Sequence, residues 1–133
     1  MTIWANAAVY AVNIIKDQNL SPEEAWFKAI STYTKSYETR IKQCPKHVLV
    51  DLYYHNKLKL DRPIHHVRQD LTINGRYALK AIELLIKDRS LANNKNELWT
   101  RTMLELKEHP NKTKNGQMDI VIALYDKNLL NLD

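Results

Sequence analysis

Three blocks of this chain recur in the same order about seventy residues further on, and that recurrence constrains the fold more than any other feature. The stretch IIKDQNLSPEEAW at 14–26 is answered by LIKDRSLANNKNELW at 85–99. Laid over one another, Ala7, Ala11, Ile14, Ile15 and Leu20 face Ala78, Ile82, Leu85, Ile86 and Leu91. After two extra residues in the second copy, Glu24-Ala25-Trp26 faces Glu97-Leu98-Trp99. Then VLVDLYYHNKLKL (48–60) faces IVIALYDKNLLNL (120–132), sharing three aliphatic positions, Leu-Tyr, an Asn and two later Leu. One amphipathic block can match by chance, whereas three in register imply an internal duplication. The halves, about 1–60 and 75–133 with a linker at 61–74, are each too small to bury an apolar face alone. One domain over 1–133 with a shared core is expected.

The predicted fold class is all-α, about six helices in two similar three-helix units. Two Gly and four Pro in 133 residues are too few turn residues for many short strands. The first helix of each unit (about 3–17 and 75–88) carries apolar residues at helical spacing. The second opens at Ser21-Pro22-Glu23-Glu24, a capping box with Pro at the first helical position, and at Asn94 with Glu97 three residues on. Trp26, Ile30 and Tyr33, like Trp99, Met103 and Leu106, then share a face. The third element (about 45–55 and 117–127) begins after Cys44-Pro45 or Gly116. It ends before Asn56 or Asn128, residues that tolerate the left-handed position past a helix. Its branched and aromatic residues also suit a buried strand, so helix and strand both stand at this point.

The segments CPKHVLVDLYYHNKL (44–58), YALKAIELL (77–85), ELW (97–99) and QMDIVIALYDKNLL (117–130) carry a resemblance. Through them the chain resembles a family of small bacterial proteins, a domain of unknown function, in which Gly often replaces Asn56 and Asn128. The resemblance implies a helical domain and supplies no activity, cofactor or catalytic residue.

Charge is concentrated in the connections. Segment 35–47 sets Lys35, Arg40, Lys42 and Lys46 against Glu38, and 57–76 sets Lys57, Lys59, Arg62, Arg68 and Arg76 against Asp61 and Asp70. Segment 107–117 sets Lys107, Lys112 and Lys114 against Glu108. The whole chain carries only +5, so the remainder is acidic on balance. Segments 35–47 and 107–117 are the equivalent connections of the two units, so a two-fold relation would let both grip one anionic partner. Lysine-rich loops also simply keep a protein soluble. The expectation is a non-enzymatic module engaging an acidic protein surface through Lys35, Arg40, Lys42, Lys46, Arg62, His65, His66, Arg68, Lys112 and Lys114. The alternative is nucleic acid held through phosphate contacts from the same residues, with Tyr37, Tyr54 and His66 as stacking groups. Helix-turn-helix reading is disfavoured, because Pro22-Glu23-Glu24 would bring carboxylates to the phosphates and the second-to-third connections are too long.

Chemistry has few footholds. Cys44, the single cysteine, excludes an intramolecular disulfide and fits a reducing, cytoplasmic setting. A thiol at a helix start beside Lys46 and His47 is the one nucleophile worth testing, which leaves a cysteine-dependent enzyme as the third reading. His65-His66 lacks ligand spacing, so no metal is expected. Gly75 and Gly116 are isolated, which removes phosphate-loop and dinucleotide fingerprints, and no cofactor is expected. The apolar start meets Lys16 and Asp17 before it could span a membrane, so no membrane association is expected.

Overall fold

A computed structural model describes residues 1–62, 64, 67, 68 and 70–132. Among them the chain is helical: α1 (Ile3–Gln18), α2 (Pro22–Tyr33), the short α3 (Tyr37–Arg40), α4 (Gln43–Tyr54), α5 (Ile73–Lys87), a 3-10 turn (Arg89–Asn93), α6 (Lys95–Glu105) and α7 (Gln117–Asp126). The six long helices are those expected; α3 and the 3-10 turn fall in connections where no element was expected. The strand alternative for the third element fails. Both segments are helices, and the β pairing among the described residues is one isolated bridge.

Local chemistry sets the boundaries. Thr2, Ser21, Thr72 and Asn94 each accept a hydrogen bond from the backbone N–H three residues on, which satisfies a donor the first turn leaves free. At the other end, Asn56 and Asn128 adopt φ of 59° and 57°. The following amides, Lys57 and Leu129, reach back to the carbonyls of Leu52 and Leu124 at 2.9 Å each. These are matched Schellman closures.

Two boundaries differ from expectation. Helix α4 starts at Gln43, so Cys44 and Pro45 lie inside its first turn, where a missing proline N–H costs no helical bond. Helix α5 starts at Ile73, capped by Thr72. The register of the first block also moves by one residue. Ile86, set against the buried Ile15, is 49% exposed. The buried positions Ala7, Ala8, Ala11 and Ile15 instead correspond to Tyr77, Ala78, Ala81 and Leu85. The shared Ile-Lys-Asp letters had set a buried isoleucine against an exposed one.

One core cluster draws on both halves. Helix α1 pairs with α2 and then packs on α7 from the other half; α5 pairs with α6 and packs on α4. Where α4 and α7 give out, the chain segments meet at the Leu58–Leu130 bridge. There Lys59 N–H donates to Leu129 C=O (2.8 Å) and Asn131 N–H to Lys57 C=O (2.7 Å). Leu58 and Leu130 are equivalent positions of the shared skeleton, and the two bonds exchange under the same correspondence.

The α5–α4 and α1–α7 contacts are built differently. Asp51, buried on α4, accepts from the Thr72 amide (2.9 Å) and hydroxyl (2.7 Å), and Gly75 packs directly on its side chain. On the other side, Ala5 and Ala123 take those places. There the tight approach is instead between Trp4 and Gly116, whose φ of 86° belongs to the left-handed region.

Candidate basic cleft at the start of α7

Three helix N-termini meet around a cleft of about 510 Å³: Thr2 before α1, Lys95 and Asn96 opening α6, and Gly116 to Asp119 opening α7. Gly116 supplies no side-chain cap to α7. The first-turn amides and the positive end of the helix dipole therefore favour an anion there. Lys42 and Lys114 also line this cleft. They come from separate connections, Lys42 just before α4 and Lys114 between α6 and α7, so the structure brings the two basic loops together at these two residues.

Their partners leave them available. The Lys114 ammonium donates to the Asn96 side-chain carbonyl at 2.6 Å, and the Lys42 ammonium stands 5.9 Å from the Trp4 ring centroid. Neither has a carboxylate within ion-pair distance among the described residues. Lys95 is paired with Asp119 at 2.8 Å. Three lysines against one aspartate leave the lining at a net +2.

The corresponding cleft of the other half, about 280 Å³, lies at the starts of α2, α4 and α5. It holds Lys46, His47 and Arg68, but Glu23, Asp51 and Asp70 outweigh the two full cations. Arg68 is further committed: its guanidinium sits 3.6 Å from the Tyr54 ring centroid and 3.9 Å from Glu23. Burial and the Glu23 carboxylate, which accepts from the Tyr54 hydroxyl at 3.2 Å, raise the Tyr54 phenol above its ordinary pKa. Among the described residues, the first of these two clefts is thus electropositive and the second is not.

The remaining expected residues scatter. Arg62 donates to the Ile15 carbonyl (2.8 Å) and the Asn19 side chain (3.1 Å), closing the negative end of α1 rather than facing a partner. Lys112 is held by the Tyr77 hydroxyl and Glu108, each at 3.1 Å, and these bonds raise its pKa. Arg40 is half-buried and Lys35 exposed, both outside the cleft lining. Tyr37 is 68% exposed, as a stacking group requires, whereas Tyr54 is covered by Arg68. His65 and His66 lie outside the described residues. Cys44 is half-buried, and among the described residues no base is hydrogen-bonded to its thiol.

A family model described as "Family of unknown function (DUF6979)" matches residues 1–131. The chain belongs to this family. No curated protein and no solved structure shows significant similarity to it. The DUF6979 family carries no described activity, so the cleft has to be interpreted from its own chemistry.

Sequence reasoning missed Trp4, Lys95 and Asn96. Lys95 did carry a signal, since a cation at the first position of a helix opposes the dipole unless an anion meets it. Trp4 carried none, because its role depends on Gly116 lying against it.

Proposed function

We propose that the protein is a non-enzymatic binding module that takes an acidic segment of a protein partner in the cleft at the start of α7. One observation carries this reading: Lys42 and Lys114 reach a single cleft from two separate connections and face it without carboxylate partners among the described residues. Two preplaced ammonium groups beside a helix N-terminus are held ready for paired carboxylates, and that geometry favours selectivity and fast association. The matched caps, the reciprocal bonds at Leu58–Leu130 and the cross-packing of α1 with α7 and α5 with α4 support an internal duplication. On that reading one cleft kept its positive charge and the other filled with carboxylates. The lone Cys44 supports a reducing, cytoplasmic setting, and bacterial origin belongs to the same proposal. No described helix is long and apolar enough to cross a membrane.

Nucleic acid is the second reading, favoured by the exposure of Tyr37 between Lys35 and Arg40. Fluorescence anisotropy separates the two. A labelled oligoglutamate peptide and labelled single- and double-stranded DNA and RNA are titrated at low and near-physiological salt. The proposal expects the peptide to bind at low salt and to lose at least about tenfold in affinity with Lys42→Gln/Lys114→Gln. Peptide binding that ignores the double variant, or none at low salt, overturns it. Tight binding of the oligonucleotides with a steep salt slope selects the alternative.

A further inference from the structure

The basic cleft does not stop at the first turn of α7. Thr2, Lys95 and Asp119 also border a second depression of about 270 Å³, so the two adjoin along α7 at the Lys95–Asp119 ion pair and together form a groove. Its second part follows α7 through Asp119, Ile122, Ala123 and Asp126, the i, i+3, i+4, i+7 positions of one helix face. Met1, Ala5, Ala92 and Asn93 form the opposite wall, so the middle of the groove is mostly apolar. The exposed Asp126 stands in the last turn.

The groove is therefore ordered along α7. Lysines Lys42 and Lys114 and the positive end of the helix lie at the start, apolar side chains in the middle, and a carboxylate with the negative end of the helix at the finish. Ten residues separate Gly116 from Asp126, roughly 15 Å of helix. At about 3.3 Å per residue, that length holds four to five residues of extended chain.

We propose that this groove binds a short extended peptide that is acidic at one end, aliphatic in the middle and basic or uncharged at the other. The inference rests on the acidic-partner reading above and specifies that partner. Charge complementarity selects the occupant. A nucleic acid strand repeats its phosphate along its whole length and would set one against Asp126, over a floor whose lysine, Lys95, is already paired with Asp119. A second copy of the chain carries a net +5 of its own and is repelled from the lysine end.

The test uses capped, fluorescein-labelled pentapeptides with two glutamates, two leucines and a terminal lysine, made in both chain directions. Two controls replace the leucines by serine or the lysine by glutamate. With the unaltered protein, one direction of the full peptide should bind at least about tenfold tighter than its serine control. The glutamate-ended control should bind more weakly than the full peptide, and Asp126→Lys should reverse that order. Asp126 is exposed, so this variant folds, and methyl chemical shifts of Ala5, Ala92 and Ala123 in the unaltered protein report occupancy independently. Equal affinity for the leucine and serine peptides, or an order that Asp126→Lys leaves unchanged, overturns the groove while the basic-cleft reading survives. No binding of any of these peptides at low salt overturns both.

Discussion

Replacing Gly75 by Ala is a sharp test of how α4 and α5 meet. In an ordinary helix interior the change would stabilise by about 1 kcal/mol, and the backbone at Gly75 is ordinary helix. The added methyl carbon, however, would lie 2.7 Å from Asp51 Cβ and 2.8 Å from its Cγ, with the Oδ2 atom closer still. Asp51 cannot yield freely, because Oδ2 receives both the Thr72 amide and the Thr72 hydroxyl. Overpacking costs about 1–3 kcal/mol. Displacing the carboxylate forfeits hydrogen bonds to a charged acceptor, each about 1.5–3 kcal/mol. With one of the two bonds lost and the helix gain set against it, the net expectation is a loss of about 1.5–5 kcal/mol, read from the midpoint of urea unfolding at unchanged slope. Combining Gly75→Ala with Asp51→Ala should recover most of the loss, with a coupling of at least about 2 kcal/mol. The protein already contains that combination, since Ala5 and Ala123 occupy the equivalent places between α1 and α7. A Gly75→Ala protein as stable as the parent would refute the reasoning.

Three further outcomes follow from the same structure. Gly116→Ala should cost about 2 kcal/mol or more and shift the tryptophan emission, because φ is 86° and the new carbon would sit 2.5 Å from Trp4 Cδ1; unchanged emission and stability would contradict the packing. The difference in ultraviolet titration between the parent and Tyr54→Phe should place the Tyr54 phenol above its usual pKa of about 10. Because the folded value is raised, the stability this group contributes is complete below that usual value and is lost as pH climbs through the folded one. A midpoint at or below the usual value would show that neither burial nor Glu23 acts on it. The Asp88 carboxyl, which receives the Ser90 hydroxyl and amide, should titrate below the usual carboxylate range and move back toward it in Ser90→Ala. Its folded value is depressed, so its contribution is present above the usual range and disappears as pH falls through the folded value; a carbon-13 titration unchanged by Ser90→Ala would exclude the cap.

The helices were legible because their ends are written in short-range chemistry. Ser21-Pro22, Asn94 with Glu97, Asn56 and Asn128 act within a few residues of themselves, and each acts in the structure as its sequence implies. The register of α5 was not legible in the same way. Lys87 and Asp88 repeat Lys16 and Asp17 in letters, but packing is decided on the other face of the helix, where Ala5, Ala7 and Ala8 match Gly75, Tyr77 and Ala78. The basic loops were visible as composition, yet composition could not distinguish Lys114, which faces the cleft, from Lys112, which is bound to Tyr77 and Glu108. Two residues of one loop point to different tasks, and that choice is made by Tyr77, thirty-five positions away along the chain. Lys95 and Trp4 joined the site for the same reason, through neighbours distant in sequence.

The packing of α1 on α7 has a consequence for how the chain acquires its structure. The two helices are separated by about a hundred residues, so their contact closes one of the longest loops in the molecule. A ribosome adding roughly 5–20 residues per second completes α1 several seconds before α7 emerges. Through that interval the α1 and α2 segments carry an uncovered set of alanine, valine and isoleucine side chains that α7 later buries. The clasp between Leu58 and Leu130 can shut only after the last helix arrives, so folding is held back until nearly all of these residues have been synthesised.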